Sequence, residues 1–174
     1  MPIDGPAFDI STQAVGFLGL ALNVVMRAMT VDRRLKLIGA VAATVWTLHF
    51  VLLRAWVGAT CNAIEGVVIL LSLAAVPSAG RWLLAALPLL PAPWIVASLS
   101  DMLPIVSAVS CGFGMLFCEG VALRLILLLT TGLWLVYDLA NGSLGGTLTE
   151  LLSIATLLAT LWRMQPRPAK QEQI

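Results

Sequence analysis

Apolar segments long enough to cross a membrane follow one another along nearly the whole chain, and only short polar connections separate them. Hydrophobic residues occupy 60% of the 174 positions, and charged residues occupy only 11%. A soluble domain of this size has too little interior to bury so much apolar surface. The sequence therefore predicts an all-α, polytopic membrane protein that forms a single membrane domain over residues 1–174, with the lipid bilayer as a partner.

Seven segments have the length and hydrophobicity of a transmembrane helix. A bilayer core of about 30 Å needs roughly 20 apolar residues per helix, and segments of this kind lie at 11–29, 35–53, 56–76, 82–99, 103–118, 122–139 and 147–163. Between the second and third segments, Arg54 is followed by Trp56 and Gly58, which favours a tight turn at a membrane interface. We expect residues 164–174 to form a cytoplasmic tail.

The basic residues predict how the protein is oriented, because cytoplasmic loops carry an excess of Lys and Arg. With seven crossings, nine of the ten Lys and Arg residues fall on one side, and only Arg54 falls on the other. The nine are Arg27, Arg33, Arg34, Lys36, Arg81, Arg124, Arg163, Arg167 and Lys170. We therefore expect the N-terminus outside the cell and the C-terminus in the cytoplasm.

The fourth segment contains Pro88, Pro91 and Pro93. Proline removes a backbone donor and clashes with the preceding helical turn, so this helix is expected to be kinked or broken. Two interpretations are open. The segment is either a lipid-facing linker helix that tolerates proline, which we favour, or a hinge beside a substrate site.

An internal repeat appears when the chain is shifted by 88 residues. The shift places Leu35 to Ile38 on Leu123 to Ile126, and it pairs Trp46 with Trp134, His49 with Tyr137, Gly58 with Gly146 and Asn62 with Glu150. One helix separates segments one to three from segments five to seven, so the two triplets must run in the same direction. We predict two parallel three-helix bundles, 11–76 and 103–163, joined by the linker helix 82–99 in a 3+1+3 arrangement.

Three stretches carry a resemblance to a known family: Leu129 to Glu150, the Trp-Thr-Leu-His-Phe run from Trp46, and the Gly-Ala-Thr-Cys-Asn-Ala run from Gly58. They occur in the same order in the YgjV-like family of bacterial inner-membrane proteins, which the chain resembles over nearly its whole length. The resemblance implies a multi-pass protein of the bacterial inner (plasma) membrane. It also implies membership of a wider set of triple-helix-bundle proteins similar to the sugar-transporting SWEET, the vitamin-precursor-transporting PnuC and the PQ-loop families. It implies no substrate.

The chain departs from these relatives at several positions. It has no Pro-Gln dipeptide and no proline in its first helix, so the proline-hinge gating of SWEET-like transporters is not carried over. Asp138 and Ser153 stand where the YgjV-like pattern places Asn.

The polar residues of the first half are costly at membrane depth, at about 2.5 to 3.5 kcal/mol for a charged group at a helix centre. Glu65 lies near the midplane, and Asn62 and Cys61 share its helix face. His49 lies about as far before the turn as Asn62 lies after it, so the two side chains are expected to meet. These groups either line a cavity in which His49 and Glu65 exchange protons, or they hydrogen-bond one another and hold the bundle together.

The second half carries equivalent positions. Tyr137, Asp138 and Glu150 lie nearer the outer interface, where we favour simple hydration over a role in a site. Trp46 and Trp134 are symmetric aromatics that suit either a stacked ring ligand or helix packing. Asn23 in the first helix corresponds to Cys111 and is a further candidate for a site or for interhelical hydrogen bonding.

Other classes of function have little support. The net charge is +1, so we expect no nucleic-acid partner. The chain has one His and no metal-ligand spacing or catalytic motif, and Cys61, Cys111 and Cys118 lie in apolar segments. We therefore predict no enzyme, no cofactor and no metal site, and a membrane enzyme ranks a distant third among the hypotheses.

The leading hypothesis is a small-solute transporter or facilitator with a central cavity between the repeats. The alternative is a non-transporting scaffold or receptor whose partners are proteins or lipids, and a homo-oligomer stays open. The predicted substrate-binding residues are Asn23, Trp46, His49, Asn62, Glu65, Trp134, Tyr137 and Glu150.

Overall fold

The structure, a computed structural model, describes residues 10–140 and 144–165. All regular structure in these ranges is helical, which confirms the all-α prediction. Seven α-helices have nine residues or more, and one has four: α1 (Ile10–Ala28), α2 (Asp32–Leu52), α3 (Trp56–Leu71), α4 (Ser78–Ala86), α5 (Ala92–Ile95), α6 (Met102–Phe117), α7 (Gly120–Ala140) and α8 (Leu144–Met164). The predicted tail lies almost wholly outside the described residues.

Within residues 10–140 and 144–165, four helical stretches are long and apolar enough to cross a membrane. They are α1, α2, α7, and α6 together with the 3-10 turn before it, while α3 is a shorter apolar helix. The third segment was predicted to continue to residue 76 but ends at Leu71. There the Ser72 hydroxyl donates to the Ile69 carbonyl at 2.7 Å, and such a local bond competes with the helix ladder.

The turn between α2 and α3 lies where it was predicted. Arg54 has a φ of 58°, a left-handed conformation that commonly ends a helix but is more often taken by Gly. The Ala55 N–H donates to the Phe50 carbonyl at 2.9 Å and closes the turn. We call the end of the molecule that carries this turn the hairpin end.

The proline-rich fourth segment is broken, as predicted. Helix α4 ends at Ala86, a 3-10 turn occupies Leu87–Leu89, and α5 covers only Ala92–Ile95. Because Pro88, Pro91 and Pro93 cannot donate to the ladder, a continuous helix here would lose its hydrogen bonds.

Consecutive helices pack side by side. Helix α2 contacts α1 and α3, and α7 contacts α6 and α8. The two groups meet where α3 packs on α6 and where α1 packs on α8. Within the first of these contacts, Cys61 clusters with Ile105, near both helix starts, and Val68 clusters with Leu116, near both helix ends. Helices α3 and α6 therefore run in the same direction.

The outer surface is apolar along the helices. About half of each side chain is exposed at Leu37, Val41 and Leu48 of α2, and at Leu125, Leu129 and Val136 of α7. Contiguous exposed stripes of this kind mark an apolar surrounding. They fit helices whose outer faces contact lipid.

An ion pair between a buried Arg and a partly exposed Asp joins the starts of α2 and α7. Arg124 is 0% exposed and forms a salt bridge with Asp32. The Gly120 N–H donates to the same carboxylate at 2.9 Å, and the Arg124 guanidinium donates to the Met29 carbonyl at 2.8 Å. We call Asp32 and Arg124 the clasp and this end of the molecule the clasp end. Arg124, counted above as a charge of a cytoplasmic loop, is therefore an internal structural group.

We expect Asp32→Ala to lower the free energy of unfolding by about 3 to 5 kcal/mol, because it leaves the Arg124 guanidinium buried without its counterion. Thermal unfolding of the purified protein in detergent measures the loss.

The matched control is Arg34→Ala, which changes an exposed side chain two residues along the same helix. We expect it to change stability by no more than about 0.5 kcal/mol. Equal losses in the two variants would contradict a structural role for the clasp.

Candidate functional site

A cavity of about 360 Å³ lies between the two groups of helices. Helices α1, α2, α3, α6, α7 and α8 all contribute to its lining. Seven of the eight candidate residues line it: Asn23, Trp46, His49, Asn62, Glu65, Trp134 and Glu150. Tyr137 does not, but its ring meets Trp134 edge-on at 5.7 Å. We call this space the central cavity.

The two ends of the central cavity differ. At the clasp end, its floor is formed by the buried side chains of Met26, Ile69 and Met115. At the hairpin end, it is lined by Phe17 and Leu148, which are 68% and 53% exposed. The cavity lining is therefore buried at the clasp end and partly exposed toward the hairpin end.

His49 is held by the first helix. Its Nδ1 lies 3.0 Å from the Thr12 carbonyl oxygen, and because a carbonyl only accepts, Nδ1 carries the proton and donates. The ring also packs edge-on against Trp46 at 5.3 Å. Gly16 makes this close approach of α1 feasible, since a Cβ there would lie 2.8 Å from His49 Cε1.

Asn62 is held by its own helix. Its Nδ2 donates to the Gly58 carbonyl at 2.9 Å. His49 and Asn62 both line the cavity, but each donates to a different backbone carbonyl. The two side chains were expected to pair with each other across the hairpin, and the observed partners are these carbonyls instead.

Three acidic residues line the cavity: Glu65 of α3, Asp138 of α7 and Glu150 of α8. Two of them each have a buried carboxyl oxygen, Oε1 of Glu65 and Oε2 of Glu150, that lacks a hydrogen-bond partner among the described residues. Glu150 is only 9% exposed, which differs from the hydrated interfacial position favoured from the sequence. Helix α8 turns this side chain inward, toward Glu65.

Arg27 is the cavity residue that sequence reasoning missed. It was counted only as a charge at the cytoplasmic end of α1, but it lines the cavity and is 7% exposed. Its Nε and Nη1 have no hydrogen-bond partner in the described part of the chain. The available signal was spacing, because Arg27 follows Asn23 by four residues and shares its helix face.

The charges in the cavity are close but separate. Arg27 acts electrostatically on both Glu65 and Glu150. Among the described residues, however, no ion pair within 4.0 Å joins Arg27 to either carboxylate. The cavity thus presents the Arg27 guanidinium and the carboxyl groups of Glu65, Asp138 and Glu150, and the first is not ion-paired with either glutamate.

Aromatic rings form one side of the cavity. Phe50 lies between the two candidate tryptophans, 5.7 Å from Trp46 and 6.1 Å from Trp134, and is stacked on the latter at 15°. Phe50 was not singled out from the sequence, because a Phe in an apolar helix gives no distinguishing signal. The row provides a flat apolar wall beside the charged groups.

Metal-binding geometry is not found in residues 10–140 and 144–165. No three His, Cys, Asp or Glu side chains there are grouped so that they could hold an ion. Cys61 and Cys111 are buried free thiols, and the second of them lines the cavity.

Comparison with known proteins places the chain among inner membrane proteins. The model of the family Imp-YgjV, described as "Bacterial inner membrane protein", matches residues 10–167. The "Inner membrane protein YgjV" of Escherichia coli (strain K12) is 24% identical over 161 residues, which cover 89% of this chain and 86% of that protein. No solved structure matches the chain.

We expect Gly16→Ala to destabilise the protein by about 1 to 3 kcal/mol, because the added Cβ overpacks against His49. Gly132→Ala is the matched control, since nothing lies within 4 Å of a Cβ built there. That substitution should stabilise α7 by about 0.5 to 1 kcal/mol. Thermal unfolding measures both, and shifts of the same sign would contradict the close contact between α1 and His49.

Proposed function

Because the chain belongs to the YgjV-like family of bacterial inner membrane proteins, we propose that it transports a small polar solute through the central cavity. It is a multi-pass protein of that membrane. The observation that supports transport most directly is a cavity of about 360 Å³ whose lining includes ionisable side chains and comes from helices of both groups. Ionisable side chains at membrane depth are costly and usually mark the path of a solute or ion.

The proposed architecture is a pair of parallel three-helix repeats. Helices α2 and α7 begin at Asp32 and Gly120 and end at Leu52 and Ala140, so both boundaries differ by the same 88 residues as the sequence repeat. The exposed residues agree with this offset, since Leu37, Val41 and Leu48 pair with Leu125, Leu129 and Val136. Equivalent helices thus turn equivalent faces outward.

The direction of the helices supports the same arrangement. Helix α6 runs parallel to α3, although α3 ends at the clasp end and α6 begins at the hairpin end. The broken segment between them returns the chain, because Ala85 packs beside Val68 near the clasp end and Ala92 packs beside Cys61 near the hairpin end. This is the linker of a 3+1+3 protein, similar to SWEET transporters in plan.

The shape of the central cavity fits one state of an alternating-access cycle. In this proposal the more exposed part of the lining opens at the hairpin end, and the apolar floor and the clasp close the other end. Rocking of one three-helix group against the other would open the clasp end. The positions of the basic residues support a hairpin end outside the cell and a clasp end in the cytoplasm.

A second candidate function is a non-transporting scaffold or receptor. Two of the polar side chains hold the bundle together, since His49 bonds to the Thr12 carbonyl and Asn62 bonds to the Gly58 carbonyl. In such a protein the remaining polar groups would only stabilise the fold, and no solute would cross.

Cysteine labelling distinguishes the two candidates. In a variant with Cys61, Cys111 and Cys118 replaced by Ala, we expect Asn23→Cys to react with a membrane-impermeant methanethiosulfonate from both sides of the membrane. The physical reason is that the central cavity alternately faces each side.

Val41→Cys is the control, because Val41 is 54% exposed on the outer surface of α2 and faces lipid in the proposed arrangement. It should react poorly from either side. Labelling of Asn23→Cys in only one of the two preparations, right-side-out vesicles or inverted vesicles, would favour the scaffold or receptor.

A further inference from the structure

We infer that the solute is a zwitterion: a free α-amino acid with an apolar or aromatic side chain, its carboxylate bound by Arg27 and its ammonium group bound by Glu65 and Glu150. This inference rests on the proposed function and names its substrate class. It combines three observations on the central cavity: an Arg without an ion pair among the described residues, two glutamates that each have a buried oxygen without a partner, and an aromatic wall. Asp138 also lines the cavity, with its carboxyl group against Gly146.

Arg27 provides the anion-binding group. Its side chain is 7% exposed, and two of its guanidinium nitrogens have no partner among the described residues. A buried charge without a counterion costs several kcal/mol, so this group is poised for an anion. A guanidinium presents a planar fork of donors that matches a carboxylate in a bidentate geometry.

Glu65 and Glu150 provide the cation-binding group. They project from different halves of the molecule, and each has one buried oxygen without a partner within residues 10–140 and 144–165. An ammonium group carries three donors, so one ammonium can bond to both side chains. Neither carboxylate lies within 4.0 Å of Arg27, which leaves the cation and the carboxyl groups available to a solute.

The cavity also sets the size and character of the solute. Its volume of about 360 Å³ lies at the lower end of the range of about 300 to 1,000 Å³ that is typical of small-molecule sites. The row of Trp46, Phe50 and Trp134 offers an apolar wall for a side chain.

Simpler solutes satisfy only part of this site. An organic acid would pair with Arg27 and leave both carboxyl groups without a cation. An amine would pair with the carboxyl groups and leave Arg27 unpaired. A solute that carries both groups gives Arg27 and the two glutamates a partner at the same time, and an unpaired buried polar group retains its desolvation cost.

Binding of matched probes to the purified full chain, measured by isothermal titration calorimetry in detergent, tests the inference. The probes are L-tryptophan with tryptamine and indole-3-propionate, and L-leucine with 3-methylbutylamine and 4-methylpentanoate. In each set the amine lacks the carboxylate and the acid lacks the amino group. We expect at least one amino acid to bind about 10- to 100-fold more tightly than both of its analogues, since each charged hydrogen bond contributes about 1.5 to 3 kcal/mol.

Variants test which residues bind the carboxylate and which bind the ammonium group of the solute. Arg27→Gln should reduce the affinity for the amino acid to about the affinity for the amine analogue. Glu65→Gln should reduce the affinity for the amino acid toward the affinity for the acid analogue. Arg33→Gln, an exposed change, is the control and should leave all three affinities unchanged. The probe comparison in the unmodified protein stands even if a variant fails to fold.

The inference is overturned if, in both sets, an amine or acid analogue binds as tightly as its amino acid, or if none of the probes binds. Labelling of Asn23→Cys from both sides would in that case still support transport of another solute. Conversely, tight binding of an amino acid with labelling from one side only would support the substrate class and reject transport.

Discussion

The ion pair between Asp32 and Arg124 joins the two groups of helices at the clasp end, where the Arg163 guanidinium also donates to the Ala28 carbonyl at 2.9 Å. Lipid is as apolar as the helices, so hydrophobicity alone gives little reason for one helix pair to prefer another within the bilayer. A charged pair surrounded by backbone partners is specific, because either group alone in this environment is costly. At an offset of 88 residues from Asp32 the chain carries Gly120, so the pair can form in this one combination only. The contact between α2 and α7 is thereby fixed in a single register.

Charged side chains are rare in these helices, and this distinguishes the central cavity from the rest of the bundle. Most helix faces turn apolar side chains outward, and Asn23, Arg27, Glu65 and Glu150 all line one space. The close approach of α1 through Gly16 and of His49 to the Thr12 carbonyl fixes part of the cavity wall. Rigid walls of this kind allow Arg27 and the carboxyl groups to stay apart instead of collapsing into an internal salt bridge.

Sequence reasoning predicts much of this structure and misses specific parts for physical reasons. Hydropathy and proline positions indicate most of the helices, the Arg54 turn and the break near Pro88, because these depend on local composition. His49, Asn62 and Glu65 are recognisable as cavity residues because polar groups are rare in such segments. Arg27 and Arg124 are wrongly interpreted as charges of the cytoplasmic side, because the excess of Lys and Arg in cytoplasmic loops already explains an Arg near a helix end. The hydrogen bond between His49 and the Thr12 carbonyl depends on the distance between α1 and α2. That distance cannot be deduced from a single sequence.

The break in the fourth segment affects the order in which the protein can assemble. Inside a bilayer, a backbone that leaves the helical ladder must be covered by protein or water. The turn at Leu87–Leu89 packs against α3 and α6, but α6 is synthesised only after it. The emerging chain must therefore hold this segment out of the lipid interior until α6 arrives, which couples the insertion of the first half to the synthesis of the second.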